Sequence, residues 1–231
     1  MGQDNPQRRS HLTDMYLFHP HIASLYSSAG FAWLLLALLV CAVVTRVSYP
    51  LFLHDCVSVV FSRIARRYSD TTRPATIVFS HLFLLGTLAM CLWLCLYADG
   101  PLHWLHYGMT AGLVVVWLLM RFLLLRFLGY VFSFRHEAQA VHEDSLSLLM
   151  LVAMVQYVAC CLAPLISAQD VFRWIATGVA GVYLTTLTGK MVVTYARSFR
   201  TLFYICLYIL TVEILPPAAL YLIAFQISTI E

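Results

Sequence analysis

Charge is what this sequence has least of. Lys and Arg together number 14 and Asp and Glu 11 in 231 residues, so 11% of the chain is charged, against about 25% in soluble domains. A soluble chain of this length could bury a good core, but it would keep a charged surface around it. Here 61% of residues are hydrophobic and mean hydropathy is +0.82, which excludes a soluble globular class.

Signatures of chemistry are scarce as well. There is no Gly-x-Ser-x-Gly elbow, no phosphate-cradling glycine loop and no pair of intramembrane aspartates. An enzyme is therefore not expected, and no cofactor is implied. The basic residues are spread along the chain rather than gathered into a patch, so nucleic acid is not an expected partner. No repeat of fixed period, long linker or separate soluble domain stands out. A cleavable signal is not expected either: the first apolar run starts near Gly30, after a polar tail, and continues through Val44 without a small-residue cleavage site. Met1-Gly2 starts like a myristoylation signal, but Pro6 stands where Ser or Thr is needed.

The seven cysteines are Cys41, Cys56, Cys91, Cys95, Cys160, Cys161 and Cys206, nearly all inside apolar runs. An odd number so placed argues for cysteine as a small apolar residue, not for a disulfide framework. Metal sites are not expected. His136 and His142 are six apart, so they miss the four-residue spacing that puts two imidazoles on one helix face. His103 and His106 could share a face, but two ligands alone make no site. The segment Phe134 to Ser145 reads as a solvated cytoplasmic loop.

What is present is a series of long apolar runs. They predict an all-α fold, a polytopic membrane helix bundle of about six transmembrane helices: about Ala29–Arg46, Pro74–Tyr97, His103 to Leu125 or beyond, Leu146–Ile166, Val171–Val193 and Leu202–Phe225. Residues 1–28 form a polar tail, and 29–231 a single transmembrane domain. Arg121 and Arg126 are expected to snorkel from the lower end of the third span. The fifth span carries Gly178, Gly181 and Gly189 with Ala176 and Ala180, residues that let membrane helices approach closely.

Residues 51–67 differ in kind. Leu53, Val57, Val60, Phe61 and Ile64 fall on one helical face, with His54, Asp55, Ser58, Ser62 and Arg66 on the other. This predicts an interfacial amphipathic helix whose Arg63, Arg66 and Arg67 reach lipid headgroups, the bilayer being one expected partner. Basic residues gather in the odd-numbered connections. Those should face the cytoplasm, which leaves both termini outside.

One stretch of the last run stands apart: Thr211-Val212-Glu213-Ile214-Leu215-Pro216-Pro217. The run is roughly 36 Å long at helical rise, and Glu213 lies near its middle. A carboxylate there costs about 2.5–3.5 kcal/mol to insert and needs a partner or a wet cavity. Pro216 and Pro217 lack the N–H groups that the carbonyls of Val212 and Glu213 would accept from, adding to a polar spot at membrane depth. Candidate partners for Glu213 are Lys190, Arg197, His81 and tyrosine hydroxyls such as Tyr183 and Tyr208. The group could be a proton or cation site, a structural pin or a contact with a partner subunit.

The segment from Phe203 to Pro216 resembles the closing signature of a family of multi-span inner-membrane proteins from Bacteroidota, a domain of unknown function. The match rests on Tyr208, Glu213, Ile214, Leu215 and Pro216, and Cys161-Leu162-Ala163-Pro164-Leu165 is similar to a second landmark. Leu210 stands where that family usually has a cysteine before the threonine. The resemblance implies a bacterial cytoplasmic membrane and no established activity. The favoured expectation is a non-enzymatic inner-membrane scaffold or accessory subunit of a larger envelope complex, such as a protein export or secretion machine, with other membrane proteins as partners. The competing expectation is a small proton-coupled transporter or permease that uses Glu213.

Overall fold

In a computed structural model, residues 29–61, 74–97, 104–131, 135–163, 169–195, 203, 206–215 and 218 are described, and every regular element among them is helical. In chain order these are α1 (Ala29–Ser48), α2 (Phe52–Phe61), α3 (Pro74–Tyr97), α4 (Trp104–Val131), α5 (Arg135–Leu162), α6 (Gln169–Tyr195) and a π-helical segment, Ile209–Ile214. Four helices are long and apolar enough to cross a membrane: Ala29–Ser48, Pro74–Tyr97, Trp104–Val131 and Gln139–Leu162. At 27 residues α6 has the length to cross, but Arg173, Lys190 and its threonines and glycines dilute its apolar character. With the partly described closing run, this agrees with about six spans.

The faces confirm the solvent. Along α1, Trp33, Leu36, Leu39, Val40, Val43 and Val47 all point outward, and along α4 so do Leu105, Val115, Leu119, Leu123 and Phe127. Large apolar side chains exposed down the full length of a helix would be a liability in water and are the expected surface in lipid.

α3 is the central element, packed against α1, α4, α5 and α6. Its buried face includes Phe83, Leu84, Met90 and Trp93, with Trp93 fully enclosed and its ring centroid 6.4 Å from that of Phe31 on α1. Close approach is concentrated at Gly86, where a Cβ would run into Leu38 Cδ2 and the Tyr107 hydroxyl stands 3.6 Å away. Long-range ties use backbone carbonyls: Tyr157 Oη donates to Leu35 O at 3.1 Å, Tyr107 Oη to Gly86 O at 3.3 Å, and Arg173 Nε to Cys95 O at 2.8 Å. The last of these meets a carbonyl in the final turn of α3, which the helix itself leaves unpaired. Hydroxyls in the apolar interior bond back to their own helix, as Thr45 does to Cys41 O and Thr110 to Tyr107 O.

Two sequence expectations change, and a third is described only in part. The charged stretch read as a loop, 134–145, is largely helix: α5 begins at Arg135, ahead of its apolar part. Asp144 and Ser145 are buried there, because Asp144 meets Lys190 of α6 at 3.0 Å. The glycine positions of α6 face away from the described chain, and nothing lies within 4 Å of a Cβ at Gly178, Gly181 or Gly189. The amphipathic helix is described only as far as Phe61, leaving Arg63, Arg66 and Arg67 outside the described residues. It packs chiefly on α5, with Phe52 and Cys56 buried and Leu53 and Val57 turned outward.

Candidate functional site

Glu213 sits on the π-helical segment, 3% exposed, and its partner is Arg121 of α4, 1% exposed. Arg121 Nη2 stands 2.9 Å from Glu213 Oε1 and donates to Tyr183 Oη of α6 at 3.0 Å. Tyr183 in turn donates to Glu213 Oε2 at 3.0 Å, and Tyr208 donates to Oε1 at 2.5 Å. Both carboxylate oxygens are therefore occupied, and three separate elements are tied through one ion pair. The Trp117 ring lies 5.9 Å below the guanidinium, adding a cation–π contact one turn earlier on α4.

The local winding explains this geometry. On an α-helix, residues five apart are turned by about 140° and cannot meet. The backbone over Ile209–Ile214 is wound wider, and the N–H of Leu215 reaches back five residues to Leu210 O. That winding brings Tyr208 and Glu213 onto one face. It is followed by Pro216 and Pro217, which can donate no backbone hydrogen bond to an α-helical continuation; both lie outside the described residues.

Of the partners expected for Glu213, the two tyrosines are at the carboxylate. The basic partner is a correction. Lys190 is held by Asp144; His81 is exposed, its Nδ1 2.7 Å from Ile77 O; Arg197 is outside the described residues. Arg121 was expected to snorkel, but α4 continues to Val131. Ten residues of helix, about 15 Å, separate Arg121 from that end, beyond the reach of its side chain to a headgroup. Its depth was legible: Arg121 has apolar residues on both sides, and two opposite charges buried in one bilayer must find each other.

A second polar constellation lies nearer the end of the bundle. There α4 and α5 flank a cavity of about 540 Å³ bordered by Arg126, Gln139, His142 and Glu143. Gln139 Nε2 donates to Glu143 Oε1 at 3.1 Å. Arg126 is exposed, with its guanidinium 4.6 Å from the Phe122 ring centroid.

Among the described residues no group of three or more His, Cys, Asp or Glu side chains is placed to hold a metal ion. His106 is stacked on Tyr97, centroids 4.6 Å apart. Cys91 and Cys160 are buried, and the described cysteines are free thiols.

Searches of curated proteins and of solved structures each give no match. A family model described as Domain of unknown function (DUF4271) matches residues 31–224, from the first turn of α1 to past the π-helical segment. The matched range contains all four members of the Arg121–Glu213 cluster, and the chain belongs to this family of unknown function, DUF4271.

Proposed function

We propose that this protein is a non-enzymatic scaffold or accessory subunit of a larger envelope complex in a bacterial inner membrane, of the kind that exports or secretes protein. The basic connections face the cytoplasm in this reading. The observation that carries the choice is the engagement of both Glu213 carboxylate oxygens by buried side chains. A proton-coupled carrier needs an acid that water or substrate can reach and leave. Here the carboxylate is engaged by Arg121, Tyr183 and Tyr208 with almost no exposed surface, which suits a fixed clamp between α4, α6 and the closing segment. The outward face of α6, with Gly178, Gly181 and Thr185 exposed, supports close approach by a helix of another membrane protein.

The test is gentle extraction from the native membrane, followed by identification of what travels with the protein. A second membrane protein in fixed stoichiometry is the expected result, and a lone monomer or homodimer counts against the proposal. The carrier reading is addressed separately in proteoliposomes. Proton flux that Glu213→Gln abolishes would replace the subunit assignment, whereas an absence of flux in either form agrees with it.

A further inference from the structure

We propose that the cavity between the end of α4 and the start of α5 binds the headgroup of a zwitterionic aminophospholipid. The spacing of the lining residues sets this up. Phe122, Leu125, Arg126 and Gly129 recur at i, i+3, i+4 and i+7 and form one stripe of α4. Gln139, His142 and Glu143, at i, i+3 and i+4, form one stripe of α5. The stripes face each other across about 540 Å³, within the ordinary size of small-molecule sites. Gly129 is buried and fills none of that space, while Phe122 and His142 meet edge-on with centroids 5.6 Å apart and join the two walls.

The charges select the ligand. One cation, Arg126, and one anion, Glu143, border the same cavity, yet no ion pair forms between them. Arg126 rests on an aromatic face, and Glu143 accepts a hydrogen bond from a neutral amide. In addition, His142 Nδ1 is buried and has no hydrogen-bond partner among the described residues. A phosphate placed against Arg126 and a primary ammonium against Glu143 would satisfy both charges, and an ester or phosphate oxygen would suit an Nδ1–H of His142. A purely anionic lipid would satisfy Arg126 but face the Glu143 carboxylate with like charge. A choline headgroup brings a cation with no N–H to donate. The exposed Leu123, Phe127 and Tyr130 on the same end of α4 give the acyl chains an apolar path beside the opening, with Tyr130 placed as an interfacial aromatic.

The experiment uses the full chain, purified in mild detergent and stripped of lipid. Phosphatidylethanolamine, phosphatidylcholine and phosphatidylglycerol are added back in turn, and bound lipid is read by native mass spectrometry and by the shift in unfolding temperature. Phosphatidylethanolamine should bind about tenfold tighter than phosphatidylcholine, the value of one charge-assisted hydrogen bond. Glu143→Gln should erase that preference, and Arg126→Gln should lower binding of all three lipids. Equal binding of the ethanolamine and choline lipids by the wild type overturns the proposal. So does a preference for phosphatidylglycerol, or phosphatidylethanolamine binding that neither substitution changes. Soluble phosphoethanolamine that matches the lipid in affinity would also overturn it, because the acyl chains would then contribute nothing. Gly129→Leu, which fills the cavity, should abolish binding. Should that variant misfold, the two polar substitutions still decide. A co-purified protein partner bears on the subunit assignment and not on this site.

Discussion

Arg121 and Arg126 lie five residues apart on one helix, one ion-paired with a glutamate and the other sharing a cavity with one, and their surroundings are opposite. Arg121 is enclosed by Glu213, Tyr183 and Trp117. Arg126 is exposed beside an open cavity, and Glu143 on the facing helix does not pair with it. Five residues turn the helix by about 140°, so the two guanidiniums meet different neighbours, one deep in the bundle and one at its end. Identical chemistry is a clamp where cation and anion are enclosed and paired, even with Arg121 Nε lacking a partner among the described residues, and a receptor where cation and anion are left apart. Depth and direction decide which, and residue type does not.

The comparison predicts a wide gap in stability. Arg121→Leu strands the Glu213 carboxylate in the interior and should cost about 3–5 kcal/mol, read as unfolding in detergent or loss of folded yield. Arg126→Leu, at an exposed position, should stay within about 0.5 kcal/mol in the absence of lipid. Replacing Arg121 and Glu213 by Leu together should recover most of the single-variant loss, since neither charge is then left alone. A double variant as unstable as the two singles added would mean the pair is not coupled, and the clamp description would fall.

Next in size is Tyr183→Phe. The Tyr183 hydroxyl accepts from Arg121 and donates to Glu213, and its loss should cost about 1.5–3 kcal/mol, as for hydrogen bonds to charged groups. Tyr130→Phe beside the cavity should cost well below that in the lipid-free protein, since that ring is mostly exposed. Equal effects at the two tyrosines would erase the contrast between a closed and an open cluster.

How far the sequence carried follows from the same contrast. Glu213 was legible as a shielded acid because a carboxylate in an apolar run has few tolerable environments. Its arginine was missed although apolar residues flank it on both sides, because hydropathy marks where a run stops being apolar and not where a helix ends. The same confusion turned the start of α5 into a loop: its charges look solvated in one dimension, whereas Lys190 of α6 meets Asp144 only in the folded bundle. The Tyr208–Glu213 contact was hidden for another reason. Its five-residue spacing lies outside α-helical periodicity, and only the wider turn over Ile209–Ile214 makes it possible. The glycines of α6 were visible as a small-residue pattern, but sequence does not say whether such a face is filled from within. In this chain Gly86 of α3 has that role.

Glycine offers a smaller version of the test. Gly86→Ala pushes a methyl into Leu38 and should cost about 1 kcal/mol, the low end for overpacking because the obstacle is the end of a side chain. Gly181→Ala meets open space and should be neutral in the isolated protein. If Gly181→Ala instead weakened recovery of a co-purified partner while leaving stability alone, the outward face of α6 would be where that partner sits.

The smallest effect is the one that separates the two arginines most sharply. In lipid-free detergent Arg126→Gln should shift stability by no more than about 0.5 kcal/mol, because its guanidinium is exposed, rests on Phe122 and forms no ion pair among the described residues. With phosphatidylethanolamine added, the wild type should gain stability by mass action, about 2.7 kcal/mol at a hundredfold excess over the dissociation constant, and Arg126→Gln should gain little. Arg121→Leu should lose its several kcal/mol with or without lipid. A clamp is felt in every condition, whereas a receptor is felt only when its ligand is present. Lipid dependence at position 126 together with lipid independence at 121 is therefore the measurement that tells the two sites apart.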